Sequence, residues 1–229
     1  MERRGFIKFC AASVAGLGSP EVAADARVQL YSKARLVDEK GAPLRAGSIP
    51  ANRNFIFHYP FAATPCFLLN LGKTVKPVQL KTVSGEPYEW KGGVGAARSV
   101  VAYSAICAHR LSYPTKDISF ISYRTEKSAR NRIANVIHCC SEHSQYDPAE
   151  GARVVAGPAP QPLAAIVLEW DSSKDEIYAL GTLGGEMFSE FFDKFGFRLQ
   201  LEHGAPRAAV TGTCVVQELD NYCKQQVKC

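Results

Sequence analysis

The sequence predicts an all-β fold, and three features carry this prediction. Short runs rich in β-branched, aromatic and aliphatic residues follow one another along most of the chain. Turns that contain proline or glycine separate these runs. The 229 residues, of which 46% are hydrophobic and 21% charged, have the size and composition of an ordinary globular domain. We therefore expect an antiparallel β-sandwich with a short C-terminal helix.

The first half of the chain supplies several predicted strands. They cover residues 28–31, 54–58, 66–71, 78–83 and 89–90. Gly92 and Gly93 predict a turn, and residues 99–106 then predict a strand that runs directly into Cys107.

The second half adds three predicted strands, at residues 118–123, 164–170 and 176–180, the last two joined as a hairpin by the turn at 171–175. Residues 124–132, with Lys127 and Arg130, are polar and basic, which predicts either a solvated surface loop or a docking surface. Residues 186–197 predict an amphipathic helix whose apolar face packs on the domain or contacts a partner subunit. That face consists of Met187, Phe188, Phe191, Phe192 and Phe195.

The N-terminus resembles a twin-arginine export signal. Arg3 and Arg4 are followed by Phe6, Ile7 and Lys8, and small residues at 24–26 offer a cleavage site. The apolar run between them is about ten residues long, whereas a spanning helix needs about twenty. We expect residues 1–26 to be removed and the protein to be periplasmic, with membrane contact only through a partner or an uncleaved signal.

Two short motifs carry the candidate chemistry. One is Cys-x-His at Cys107 and His109, and the other is Cys-x-x-His at Cys140 and His143. One Cys and one His from each of two loops suit a binuclear iron cluster in which the cysteines hold one iron and the histidines the other. The same four side chains also suit a tetrahedral zinc site, so a zinc-stabilised, non-redox binding module is the alternative of another class.

The residues after the second motif extend the pattern. Ser144 and Tyr146 lead into Asp147-Pro148, and a Gly-Pro-Ala-Pro segment follows at residues 157–160. Over residues 88–182 the chain resembles Rieske [2Fe–2S] proteins, and residues 157–160 resemble the proline loop of the Rieske subunits of quinol-oxidising complexes. The resemblance implies a small cluster-binding subdomain and one [2Fe–2S] cluster per subunit. It implies Cys107, His109, Cys140 and His143 as ligands, with Ser144 and Tyr146 as hydrogen-bond donors to the bridging or cysteine sulfur.

Two departures from the family pattern concern the ligand loops. Ser112 and Glu142 stand where many members have cysteines that form a disulfide between the loops, and Tyr146 follows His143 by three residues instead of four. Cys139 offers a competing register, Cys139 to Glu142, which aligns Ser144 better but puts a carboxylate where a His belongs. We prefer Cys140 to His143 because it keeps the Cys-x-x-His spacing and a nitrogen ligand.

The remaining cysteines and histidines have structural interpretations. Cys66, Cys139, Cys214, Cys223 and Cys229 remain once the signal and the ligands are set aside, and Cys214–Cys229 or Cys223–Cys229 disulfides are open alternatives. Because five is odd, one thiol is expected to stay free or to pair between chains. The other histidines are expected to be structural or exposed; they are His58, His138 and His203.

These features predict one-electron transfer by an exported subunit or carrier that is not an enzyme on its own. The predicted organisation is a signal at 1–26, an N-terminal β segment at 27–92, a Rieske domain at 93–182 and a helix with a Cys-containing tail at 183–229. The first expected partners are cytochrome c or a quinol-oxidising cytochrome b. The alternative is the molybdopterin subunit of a periplasmic molybdenum oxidase resembling arsenite oxidase. The net charge of +5 forms no basic tract, which argues against nucleic-acid binding.

Overall fold

Two β-sheets dominate the computed structural model, which describes residues 28–128 and 132–229. The predicted export signal at 1–26 and Arg130 of the basic segment lie outside the described residues. The strands are β1 (Val28–Val37), β2 (Phe55–His58), β3 (Pro65–Asn70), β4 (Val78–Lys81), β5 (Pro87–Trp90), β6 (Val100–Ser104), β7 (Ile118–Ser119), β8 (Ile121–Arg124), β9 (Val136–Cys139), β10 (Ser144–Asp147), β11 (Arg153–Ala156), β12 (Ala165–Asp171), β13 (Glu176–Leu183), β14 (Gly212–Val215), β15 (Gln217–Glu218) and β16 (Gln225–Gln226). The helices are α1 (Phe188–His203) and α2 (Leu219–Tyr222), with 3-10 turns at Ala46–Ser48 and Pro148–Glu150.

The larger sheet has eight strands in the order β14-β1-β13-β12-β6-β3-β2-β15. Its ladders are antiparallel except for β1 and β14, which run parallel. The strands come from the predicted N-terminal segment, the central segment and the C-terminal tail alike. The expected all-β fold is confirmed, and the tail adds two parallel ladders, β14 on β1 in this sheet and β16 on β7 outside it.

The smaller sheet has four strands in the order β11-β10-β9-β8 and packs on one face of the larger sheet. Successive side chains of β3 point to opposite faces of the larger sheet. Phe67 and Leu69 lie in the core shared with the small sheet. Cys66 and Leu68 lie in the core on the opposite face. Ile137 and Tyr146 bring the small sheet into the shared core. This packing places the ends of β6, β9 and β10 together.

Helix α1 packs beside the end of β6. Phe188, Phe191 and Phe192 are buried against an apolar group that includes Ile106 and Leu111. The predicted apolar face is therefore a packing face, although the helix runs to His203 and not only to residue 197. No helix among the described residues is long and apolar enough to cross a membrane.

Candidate metal centre

The first candidate ligand loop follows β6 and folds back on itself. The backbone N–H of Cys107 donates to the carbonyl of Ser112 at 2.8 Å, and the N–H of Leu111 donates to the carbonyl of Cys107 at 2.9 Å. Leu111 has a φ of 63°, a left-handed conformation that reverses the chain. His109 lies between these bonds and stays partly exposed, while Cys107 is buried.

The second candidate loop joins β9 to β10. Cys139 and Ser144 pair in the ladder, so residues 140–143 form a tight turn between the two strands. His143 has a φ of 60°, and this left-handed conformation completes the reversal. The turn brings the buried Cys139 and the partly exposed His143 to the edge of the shared core.

The thiols of Cys107 and Cys139 face each other across the two loops. They share a hydrogen bond, which together with a bond from Tyr146 lowers the pKa of Cys107 to about 6 against the effect of burial. The same hydrogen bond and burial raise the pKa of Cys139. The hydrogen bond places two candidate sulfur ligands together on neighbouring loops.

Tyr146 contacts this sulfur pair through its hydroxyl. Its hydroxyl oxygen lies 3.2 Å from Cys107 Sγ and accepts the backbone N–H of Ala108 at 3.1 Å. Because the oxygen already accepts from the amide, its own proton is available for the sulfur. The side chain is fully buried, and burial raises its pKa, so the hydroxyl remains a donor.

Six buried side-chain polar atoms have no hydrogen-bond partner within the described part of the chain, and three of them belong to candidate site residues in or beside the two loops. These three are Nδ1 of His109, Nδ1 of His143 and the hydroxyl of Ser144. An unpaired buried donor or acceptor costs about 1–3 kcal/mol, so these atoms are consistent with a group that they hold. Both histidines remain partly exposed, which leaves each imidazole at the surface beyond its buried nitrogen.

This donor set fits a metal centre that contains sulfur ligands. Two facing thiols and two unpartnered imidazole nitrogens suit a binuclear iron cluster and also a tetrahedral zinc site. In either case a metal-bound sulfur would give the buried Ser144 hydroxyl an acceptor.

The structure departs from the sequence-based ligand set at Cys140. Successive residues of a strand point to opposite sides, so Cys139 at the end of β9 turns towards Cys107 and Cys140 turns away. The Cys140 sulfur is bonded to that of Cys229 at 2.15 Å and offers no thiolate. Cys139, the sulfur of the competing register, keeps a free thiol, and His143 offers a buried nitrogen beside the half-buried Glu142.

The tail disulfides considered from the sequence are also replaced. Cys229 pairs with Cys140, and the free thiols among the described residues are those of Cys66, Cys107, Cys139, Cys214 and Cys223. The ring of His138 is buried with both nitrogens 3.6 Å from the Cys229 sulfur. Ligand atoms of His138, Cys140 and Cys229 all lie within 4.8 Å of one another, although the two sulfurs are joined in the disulfide. The pairing needs residues 89 apart in sequence, a separation that no local pattern reveals.

The proline loop lies against the second ligand loop. Gly157 has a φ of 86°, and a Cβ there would lie 2.4 Å from the carbonyl oxygen of His143 and 2.6 Å from the Cα of Ser144. Glycine is required because the two backbones approach this closely. Gln161 anchors the far side of the loop by accepting from the Val83 N–H at 2.9 Å and donating to the Gly185 carbonyl at 2.9 Å.

Sequence reasoning missed three features of the centre. The first is the hydrogen bond between the Cys139 and Cys107 sulfurs. The others are the hydrogen bond from the Ala108 N–H to the Tyr146 hydroxyl and the disulfide between Cys229 and Cys140. The position of Cys139 had a detectable signal, because the register that begins at Cys139 aligns Ser144 and Tyr146 with the family spacing.

Comparisons with known proteins found similar sequences and similar structures. No protein-family model matches the chain. The chain is 28% identical over 185 residues to iodate reductase subunit IdrB of Pseudomonas sp. (strain SCT), and the match covers 80% of each protein. The soluble domain of Rieske protein II (soxF) from Sulfolobus acidocaldarius has 26% identity and a TM-score of 0.49, over 68% of this chain and 82% of that domain.

Proposed function

We propose that this chain, which is a Rieske-type iron–sulfur protein and an electron-transfer subunit of an oxidoreductase, holds one [2Fe–2S] cluster and works outside the cytoplasm. The proposed ligands are Cys107 and Cys139 on one iron and His109 and His143 on the other. One observation carries the proposal: the sulfurs of Cys107 and Cys139 share a hydrogen bond, and the candidate residues of the same two loops leave two buried imidazole nitrogens and one hydroxyl without partners.

A bound [2Fe–2S] cluster supplies a one-electron couple. The chain's own residues set the conditions around it. Tyr146 and Ser144 offer hydroxyl protons to sulfur, which stabilises added negative charge. His109 and His143 are partly exposed, so a ring that binds through Nδ1 presents its Nε2 atom for proton exchange with solvent. Proton uptake at Nε2 would accompany electron uptake.

The first test compares single cysteine variants of the purified protein. Cys139→Ser and His143→Ala should lose bound iron and sulfide and the rhombic reduced-state paramagnetic resonance signal, because each removes a proposed ligand. Cys140→Ser should keep the signal. Cys214→Ser, a buried thiol in the opposite core, is the control for loss of a buried sulfur.

The results separate the competing ligand sets. Loss of the signal in Cys140→Ser with retention in Cys139→Ser would restore the ligand set inferred from the sequence. A colourless wild-type protein that contains zinc would refute the cluster, since zinc is colourless and redox-inert.

We propose that the partner is a larger catalytic subunit of an oxyanion-converting oxidoreductase. The similarity to a protein named as an iodate reductase subunit supports this over a quinol–cytochrome c complex. Purification of the chain with a cleavable tag from its own cells tests the proposal. A co-purifying subunit that contains molybdenum would support it, and a haem-containing quinol-oxidising subunit would contradict it.

We propose export by the twin-arginine pathway, on the evidence of Arg3 and Arg4. Replacement of both arginines by lysine should keep the protein in the cytoplasm, and fractionation of the cells measures this. Periplasmic protein in the variant would contradict the proposal.

A further inference from the structure

The C-terminal tail runs alongside the segment that leads into the small sheet. Strand β16 pairs in parallel with β7, and bonds on either side extend this ladder. The N–H of Lys224 donates to the Lys116 carbonyl at 2.9 Å, and the N–H of Val227 donates to the Ser119 carbonyl at 2.9 Å. The tail is therefore directed towards the second ligand loop over its last six residues.

Polar contacts and a disulfide secure the end of the tail. The Arg124 guanidinium donates to the Val227 carbonyl, and the Ser128 hydroxyl donates to the Cys229 carbonyl. The disulfide then joins Cys229 to Cys140, and the buried His138 ring packs 3.6 Å from the Cys229 sulfur. The basic segment after β8 thus holds the tail, and we call residues 224–229 with this disulfide the C-terminal clasp.

We propose that the C-terminal clasp selects Cys139 as the sulfur ligand by keeping the neighbouring Cys140 thiol out of the metal centre. The inference rests on the ligand set proposed above. Adjacent cysteines in one turn compete for the same coordination position, because a small change in the turn exchanges one sulfur for the other. A sulfur held in a disulfide is not a thiolate and cannot ligate iron.

The clasp is also the covalent tie of the second loop. Ser112 and Glu142 are not cysteines, so no disulfide joins the two ligand loops at those positions. The ion pair from Arg110 to Glu142 does link them, but its atoms are 3.8 Å apart and both side chains are substantially exposed. Such a pair holds a loop weakly. The bond from Cys140 to Cys229 is therefore a covalent constraint on the turn, added to the ladder pair of Cys139 and Ser144.

Two variants open the clasp in different ways. Cys229→Ser breaks the disulfide and frees the Cys140 thiol, whereas Cys140→Ser breaks it and leaves no second thiol in the turn. Both should lower the melting temperature by about 10 °C, because both release the same long closed loop. Cys140→Ser should show one paramagnetic species with the wild-type g-values, and Cys229→Ser should show two. A single wild-type species in both variants would overturn the proposal.

A rescue experiment gives the sharper test. Cys139→Ser should lack the cluster while the clasp is closed, and Cys139→Ser combined with Cys229→Ser should regain iron and sulfide, because the freed Cys140 can ligate. Peptide mapping of the unfolded proteins verifies the disulfide in each variant. A double variant as empty as Cys139→Ser would refute selection by the clasp. Wild-type protein without iron and sulfide would instead refute the proposed function, so the two failures are distinguishable.

Discussion

Replacement of Tyr146 by Phe removes one oxygen from the base of the metal centre. The buried N–H of Ala108 loses its acceptor, which lies at 3.1 Å, and the Cys107 sulfur loses a hydroxyl at 3.2 Å. An unsatisfied buried N–H costs about 1–3 kcal/mol. In a protein of this size that cost corresponds to a fall in melting temperature of about 2–12 °C.

The same substitution should lower the reduction potential. A hydroxyl that donates to a cysteine sulfur stabilises the reduced, more negative centre more than the oxidised one. If the difference between the two states is about 1–1.5 kcal/mol, the midpoint falls by about 45–65 mV, since a tenfold change corresponds to 59 mV for one electron.

A redox titration followed by paramagnetic resonance measures the shift, and Tyr103→Phe is the matched control. The Tyr103 hydroxyl is equally buried and donates to the Pro148 carbonyl at 2.7 Å, but it belongs to the supporting core and not to the sulfur pair. The control should lose stability without a change in midpoint potential. An unchanged midpoint in Tyr146→Phe, or an equal shift in Tyr103→Phe, would refute the role of the hydroxyl bond.

Three further predictions concern the surroundings of the centre. Gly157→Ala should lower the bound iron per chain and the melting temperature, because its Cβ would meet the His143 carbonyl oxygen at 2.4 Å. Gly196→Ala, with open space around its Cβ, is the control and should be neutral or stabilising. Equal losses in both variants would refute the close approach. Phe191→Ala should lower the free energy of unfolding by about 3–5 kcal/mol, since the ring is fully buried against the first ligand loop. Urea titration measures this loss. Phe197 is exposed, so Phe197→Ala is the control and should lose less. Burial first, then the charges of His203 and Lys116, lower the pKa of His58 to about 4 from an ordinary value of 6.5. Between pH 6.5 and pH 4 the unfolded chain therefore binds a proton at His58 that the folded chain does not, so the protein should lose up to about 3 kcal/mol of stability over this range. His58→Gln should flatten the dependence of the urea midpoint on pH between these two values. An unchanged slope would contradict a neutral His58 ring in the folded protein.

Local patterns were sufficient for the strands and the helix. The run at residues 66–71 was predicted as a strand because aliphatic and aromatic residues fill it, and β3 occupies nearly the same positions. The phenylalanines after residue 186 share one helical face, and three of them are buried in α1. The hairpin of β9 and β10 was not predicted, because most of its residues are buried and the Cys- and His-rich turn hides the alternation.

The candidate residues and their spacing within two loops were visible in the sequence. The Tyr146 hydroxyl contacts the Cys107 sulfur, and His109, His143 and Ser144 each have a buried polar atom without a partner among the described residues. Their roles as ligands and donors stay predictions. The choice of sulfur in the second loop was not visible, because two adjacent cysteines differ only in the side of the strand from which they project.

The amino-acid sequence by itself determined the all-β architecture, the two ligand loops and the chemical class of the centre, since each depends on residues close together in the chain. The tertiary structure decided which cysteine faces the site and which is joined to the tail. Those choices depend on strand pairing and on a bond between residues 89 apart. Contacts over such separations are set by how the sheets and the tail pack, and no periodicity or motif spacing encodes them locally.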